Sequence, residues 1–246
     1  MILEGNVSVK AAILAGNRTI EKLIISDDKH NKDTAWIIHR AKERNIPVET
    51  CPREKIDALT SGRTHGGLIA QTGPRMFQKE EECLKGNDTF VVVLEGIEDP
   101  FNLGYIARSL YSAGCTGILI RERNWEGSEP VIVKASAGAW EYINVVSSCD
   151  LPSSITYFRN NGIFAYGAMR NDSIAYTQGN YRQPVLIAIG GEMRGLSRGV
   201  RDTLQQNIHI PYANDFRMAL NASGAASVLG FEVFRQRNSC ISNTDR

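Results

Sequence analysis

Three short segments of this chain bring together residue types that can bind an anion, hold a polar substrate and let a ligand approach the backbone. The first is Asn102-x-Gly104-x-x-x-Arg108, which follows Asp99-Pro100. A guanidinium near a helix N-terminus suits a phosphate clamp, because it is planar, carries five donors and stays charged. The second is Gly190-Gly191-Glu192-x-x-Gly195-Leu196, where Glu192 stands at the exit of an apolar run. The third is Ile210-Pro211-Tyr212, continued by Ala219-Leu220-Asn221-Ala222-Ser223-Gly224-Ala225-Ala226. There Asn221 and Ser223 offer short hydrogen-bonding groups beside a backbone crowded with small residues. Each segment also has a plain reading. Asn102 can be a helix cap and Arg108 a solvated helix residue. Gly190-Gly191 can be a turn, and the small residues after Leu220 can serve helix packing.

Other catalytic sets are missing from the pattern. The glycine-rich second segment lacks G-x-G-x-x-G and comes late in the chain, which argues against a Rossmann dinucleotide site. No Ser/His/Asp set, no paired carboxylates and no metal-ligand spacing stand out, so hydrolase readings are disfavoured and no metal is expected. His209 lies in an apolar strand context and reads as structural. His65, beside Gly66-Gly67, reads as a turn histidine.

The elements that must carry these segments alternate. A helix is expected from Val7 to Ala15, ending at Gly16, and a strand at Leu23–Ile25. A helix capped by Asp33 runs through Ala41, and a short one has Pro52 in its first turn. A strand follows Gly66-Gly67 and closes a small α/β/α unit near Gln71. Gly73–Asp88 is polar and reads as a linker with room for one helical turn. From Phe90 a continuous apolar run predicts a strand buried on both faces. A helix over Phe101–Ala113 follows, then strands at Gly117–Ile120 and Ile143–Val146. A helix capped by Asp150 leads to strands at Gly162–Tyr166 and Pro184–Ile189. Ser197 caps a helix to about Gln205, His209–Pro211 forms a last strand and Ala222–Arg235 a last helix, with a frayed tail from Asn238. This alternation predicts an α/β fold with a mostly parallel sheet covered on both faces. Polar and glycine residues placed directly after its strands are where such a sheet presents ligand-binding loops.

Composition sets limits. The chain has 246 residues, 42% hydrophobic and 22% charged, with a net charge of +1. That is ordinary for a globular protein. Residues 1–75 hold 12 basic and 9 acidic side chains, so RNA binding would rest on a local patch rather than bulk charge. No run is long enough to span a membrane, and the N-terminus lacks a signal-peptide pattern. Five scattered cysteines without C-x-x-C predict free buried thiols in a reducing cytoplasm.

Taken together, the three segments resemble the SpoU/TrmH-type RNA ribose 2′-O-methyltransferases of the SPOUT superfamily. That family's N-x-G-x-x-x-R matches Asn102, Gly104 and Arg108. Its G-[ST]-E-x-x-G-[LI] matches Gly190, Glu192, Gly195 and Leu196, with Gly191 departing. Its I-P and S-L-N-V-S match Ile210, Pro211, Leu220, Asn221 and Ser223, with Ala219 and Ala222 replacing Ser and Val. The resemblance covers residues 89–237, and residues 1–72 are similar to the substrate-binding domain that many members carry. It implies three regions: an RNA substrate-binding domain (1–72), a linker (73–88) and a catalytic domain (89–246) with a trefoil knot. It also implies a cytoplasmic homodimer that uses S-adenosylmethionine and acts on RNA, ribosomal RNA ahead of tRNA. Asn102, Arg108, Glu192, Asn221 and Ser223 become the implied catalytic set. Leu186, Ile189, Gly190, Gly191, Glu192, Gly195, Ile210, Pro211, Ala219, Leu220 and Asn221 become the implied cofactor site. Whether Arg108 takes the proton or clamps a phosphate stays open. The rival from another class is a non-catalytic RNA-binding or assembly protein with the same fold.

Overall fold

A computed structural model describes residues 1–60, 64–125 and 127–238. In chain order the elements are β1 (Ile2–Glu4), α1 (Gly5–Ala15), β2 (Ile20–Ser26), α2 (Lys32–Glu43), β3 (Val48–Cys51), α3 (Arg53–Leu59) and β4 (Leu68–Thr72). Then come β5 (Phe90–Glu95), α4 (Pro100–Ser112), β6 (Gly117–Arg121), α5 (Glu129–Ala135), α6 (Ala139–Tyr142), β7 (Asn144–Ser148) and α7 (Leu151–Asn160). The chain closes with β8 (Phe164–Ala168), β9 (Ser173–Ala175), β10 (Val185–Gly190), α8 (Arg198–Arg201), β11 (Gln206–His209) and α9 (Ala222–Asn238). These elements form two compact units. One is Met1–Met76 with Asn124–Tyr142, the other Phe77–Arg123 with Ile143–Arg246.

The first unit has a four-stranded sheet in the order β1-β4-β2-β3, antiparallel except for β2 and β3. Helix α1 stops at Gly16, whose φ of 69° is a left-handed conformation, and the Gly16 N–H closes on the Ala12 carbonyl. Helix α2 is capped by Asn31, whose side chain accepts from the Thr34 N–H at 2.9 Å, and not by Asp33. Pro52 is the residue before α3 rather than part of its first turn. Helices α5 and α6, not among the elements expected from the sequence, complete this unit although they lie between β6 and β7 in the chain. Gly138 presses on α1 so closely that a Cβ there would sit 2.5 Å from the Ala11 methyl.

Charge in this unit is buried as a group. The Arg18 guanidinium meets Glu141 at 2.6 Å and Glu129 at 3.1 Å, with all three side chains at most 3% exposed. Burial works against the Arg18 charge, but the hydrogen bond and the charge of Glu141, joined by those of Glu129, outweigh it and raise its basicity. Arg75 lies 5.4 Å from the Trp140 ring, and burial pulls its guanidinium down to about 10. His65 is fully buried and accepts from the Gly67 N–H on Nδ1, so its Nε2 proton goes to Asp57 at 2.8 Å. It is a fixed part of its turn.

The second unit is a seven-stranded sheet in the order β7-β6-β5-β10-β8-β11-β9, with every pairing parallel. All six residues of β5 are buried, as its unbroken apolar run requires. Val91 and Val93 pack with Leu119, Val146, Ile155 and Phe158, and α4 and α9 pack on each other, joined by the Ser227–Ser109 hydroxyl pair at 2.8 Å. The polar stretch before β5 contains a 3-10 turn, Glu80–Cys83, that sends Cys83 fully into the core. Gly117 leaves room for it, since a Cβ there would lie 2.3 Å from the Cys83 sulfur.

Two elements differ from expectation for visible reasons. Helix α8 ends at Arg201, because both the backbone and the side chain of Gln205 bond to Ala165 on β8 at 2.9 Å. The strand then runs Gln206–His209 and stops short of Pro211, which has no N–H to donate. Cys51, Cys83 and Cys115 are buried free thiols, but Cys149 is exposed, against the expectation of uniform burial. Cys240 and residues 239–246 of the expected tail lie outside the described residues, while Asn238 ends α9. Among the described residues no helix is long and apolar enough to cross a membrane, and no group of metal-binding side chains is found.

Candidate active site

Parallel pairing puts the exits of β5, β10 and β11 at the same edge of the sheet, and these exits lead into the three motif segments. Strands β5 and β10 are neighbours whose chains leave in opposite directions, β5 toward β6 and β10 toward β11. Such a divergence opens a crevice at the carboxyl ends of the strands.

The second segment meets the end of β5, a few residues ahead of the first segment. The Gly191 N–H donates to the Glu95 carbonyl at 2.7 Å, and the Ser197 N–H donates to the Glu95 carboxylate at 2.8 Å. Arg121 holds the other carboxylate oxygen of Glu95 at 3.3 Å. A Cβ on Gly191 would lie 2.2 Å from the Gly96 carbonyl oxygen, and one on Gly190 would lie 2.3 Å from the Gly195 carbonyl carbon. Gly195 has φ of 62° and closes the loop through its N–H to the Gly191 carbonyl at 2.9 Å. In this chain the glycine at 191 is therefore a packing requirement set by its neighbour Gly96.

The third segment lines a cleft beside them. Ile189, Gly190, Ile210, Ala219 and Leu220 face it, together with Ala168, Met169, Arg170, Ile208, His209 and Tyr212, and it is floored by Ala222, Ala225 and Leu229 of α9. The lining is apolar apart from Arg170, His209 and the Tyr212 hydroxyl. The Ser173 hydroxyl gives its single proton to the Arg170 carbonyl at 2.7 Å. His209 Nδ1, 2.9 Å from the Ser173 hydroxyl oxygen, is then the donor, which leaves Nε2 as the acceptor when the ring is neutral. A larger polar basin of about 530 Å³, lined by residues such as Arg201, Asp202, Gln206 and Asn207, shares only Met169 and Arg170 with the cleft and contains no motif residue.

The other motif residues are placed as follows. Asn102 lies in the first turn of α4, which Asp99 caps by accepting the Asn102 N–H at 2.9 Å, so Asn102 is not itself the cap. Arg108 and Glu192 are exposed, and neither side chain has a hydrogen bond or ion pair among the described residues. Asn221 caps α9, its side chain accepting the Gly224 N–H at 2.8 Å. Ser223 follows in the first turn, where its carbonyl takes the Ser227 hydroxyl. Pro211 borders the cleft without lining it, and Leu186 is fully buried in the core cluster beneath β10. Sequence reasoning passed over Glu95, Arg170 and Tyr212. Glu95 carried the same signal that singled out Glu192, a carboxylate at the end of an apolar run. Tyr212 follows directly on Ile210-Pro211, whereas nothing around Arg170 marks it.

An open parallel sheet with an apolar cleft and a closely packed glycine loop at the carboxyl ends of its strands has the form of a ligand-binding α/β domain. Residues 89–231 match the SpoU rRNA Methylase family, and residues 2–78 match the RNA 2′-O ribose methyltransferase substrate-binding family. A TrmH-family tRNA/rRNA methyltransferase assignment from Staphylococcus saprophyticus is attached to a protein 33% identical over 243 residues, covering 97% of this chain and 96% of the relative. A relative with the same assignment from Staphylococcus haemolyticus is 32% identical over 247 residues, covering 97% and 96%. Among solved structures, the SpoU methyltransferase AviRb from Streptomyces viridochromogenes matches with a TM-score of 0.82 at 21% identity, covering 97% of this chain and 90% of that one. An AdoMet-bound rRNA methyltransferase from Sinorhizobium meliloti matches with a TM-score of 0.82 at 21% identity, covering 98% and 88%. The chain belongs to the SpoU rRNA methylase family. It is accordingly an RNA methyltransferase.

Proposed function

We propose that this chain methylates a ribose 2′-oxygen in RNA, ribosomal RNA ahead of tRNA, as a cytoplasmic homodimer whose catalytic domain is knotted. The observation that carries this reading is the cleft that the second and third motif segments line at the edge of the sheet where β5 leads to the first, because its chemistry fits the cofactor. Its isoleucine, leucine and alanine lining suits a nucleoside ring, and the exposed backbone of Gly190 suits close approach. Ile189, Gly190, Ile210, Ala219 and Leu220 hold the adenosyl part, with Gly191, Glu192, Gly195, Pro211 and Asn221 shaping the rim and Leu186 supporting it from below. When bound, S-adenosylmethionine supplies a methyl group activated by an adjacent sulfonium.

The chain's own work is orientation and charge. A ribose hydroxyl is a very weak acid, so its proton must leave as the new bond forms, and attack must be in line with the bond that breaks. Holding the two partners in that geometry supplies much of the rate. Arg108 is always charged, so it is a poor base and a good clamp for a phosphate beside the reacting ribose. Asn102, Glu192 and Ser223 orient the substrate around it. A second copy fits the exposed apolar side chains Phe101, Tyr105 and Tyr111 on α4 and Phe231 and Phe234 on α9. It also gives the open Arg108 a site to act on. Buried free thiols suit a reducing compartment. The substrate-binding match over residues 2–78 supports assigning RNA capture to the N-terminal part, with residues 73–88 leading to a catalytic part from residue 89 onward.

Transfer of labelled methyl from S-adenosylmethionine to purified RNA, followed by mapping of 2′-O-methyl sites in cells with and without the protein, tests this. A site lost from ribosomal RNA supports it. A site lost only from tRNA replaces the substrate. Donor binding without transfer to any RNA favours the non-catalytic reading.

A further inference from the structure

Resting on the donor reading of the cleft, we propose that Arg170 and Tyr212 form a clasp that sets the shape of the loop 213–221 for the cofactor. Arg170 follows β8 and reaches across to that loop, donating from Nη1 to the Arg217 carbonyl at 2.9 Å and from Nη2 to the Met218 carbonyl at 2.8 Å. Its guanidinium also lies over the Tyr212 ring, 4.8 Å from the centroid. The Tyr212 hydroxyl in turn accepts the Leu220 N–H at 2.7 Å, and its ring sits 6.2 Å from Phe216.

Two side chains therefore hold three backbone groups of the loop, the carbonyls of Arg217 and Met218 and the N–H of Leu220, on either side of the cleft-lining Ala219. The loop has little else to hold it. Phe216, Met218 and Leu220 are all exposed, and no regular secondary structure spans Pro211–Asn221. Arg170 is itself anchored from behind, since its carbonyl takes the Ser173 hydroxyl, which also faces His209. A fork that bridges two carbonyls while sitting over a ring is a role for guanidinium, and an ammonium on a flexible stem cannot copy it. Arg170 and Tyr212 are positioning residues: they organise the loop before the donor arrives, so that binding does not bear the cost of ordering it.

The test uses the full chain with Arg170→Met, Arg170→Lys and Tyr212→Phe. It measures the dissociation constant for S-adenosylmethionine, hydrogen exchange of the amides in 213–221, and Tm. Arg170→Met is expected to weaken donor binding about tenfold and to speed exchange across the loop, with Tm nearly unchanged. Arg170→Lys is expected to recover little, and Tyr212→Phe to speed exchange at Leu220 above all. The combined Arg170→Met and Tyr212→Phe variant is expected to lose less than the sum of the two. Wild-type affinity in Arg170→Met overturns the proposal. So does weaker donor binding with unchanged loop exchange, which makes Arg170 a direct contact instead. If Arg170→Met does not fold, unchanged exchange at Leu220 in Tyr212→Phe is the overturning result. A wild-type chain that fails to bind the donor refutes the donor reading, while loop exchange in the variants still decides the clasp.

Discussion

The two units treat charge in opposite ways. In the first, Arg18 is sealed between Glu129 and Glu141 and every partner is found within the unit. In the second, Arg108 and Glu192 stand in solvent with no partner among the described residues, and the buried carboxylates Glu95 and Glu232 are held by arginines that are themselves exposed, Arg121 and Arg235. A paired, buried charge holds structure together, because removing either partner strands the other in a low dielectric. An exposed charge with nothing to hold contributes little to the fold. The contrast separates residues retained for architecture from residues free to meet a ligand.

The sharpest way to break the contrast is Arg108→Ala. If this side chain is free for substrate, transfer of labelled methyl falls by at least about a hundredfold, the scale for losing one preorganised charge contact. Donor affinity and Tm stay at wild-type values. Near-normal turnover removes Arg108 from the mechanism. Glu141→Ala should do the reverse and cost about 3–5 kcal/mol of stability, read as a drop in denaturation midpoint. Replacing Arg18, Glu129 and Glu141 together with Met, Leu and Leu should restore most of that loss. A small effect from Glu141→Ala alone would mean that the cluster is solvated in solution.

The smallest effect concerns the neutral core. Burial pushes the Cys83 and Cys115 thiols up to about 12 from an ordinary 9.0. The folded state therefore keeps protons that the unfolded chain gives up. Stability is full below pH 9 and declines as pH rises from 9 toward 12, by up to about 1.4 kcal/mol per pH unit for each thiol. Tm measured from pH 8 to 11 should fall less steeply in a variant carrying Cys83→Ala and Cys115→Ala than in wild type. Equal slopes would assign the alkaline loss elsewhere.

The catalytic half was legible in outline because buried parallel strands advertise themselves. The runs at Phe90–Leu94 and Pro184–Ile189 cannot be read as half-exposed elements, and polar residues directly after them mark strand exits. The first unit was less legible. β1 and β3 are three and four residues long and carry no alternation. α5 and α6 are only seven and four residues long, and their place depends on Arg18, more than a hundred residues away. The site showed the same division. Motif spacing found the glycines and Arg108, which depend on local backbone and chain order. Arg170 and Glu95 earn their positions through partners distant in sequence, at Arg217–Met218 and at Arg121 and Ser197.

The completion of the first unit by residues 124–142 has a consequence for anyone who dissects the molecule. A scissor cut after Met76 yields a fragment with Arg18 stripped of both carboxylates and Arg75 stripped of its indole. Such a piece would be an incomplete module that sticks to itself, whereas a graft that transplants the N-terminal stretch into another enzyme works only if the recipient's own crossover helices bring matching acids. Inheritance of this module is tied to the enzyme it came with.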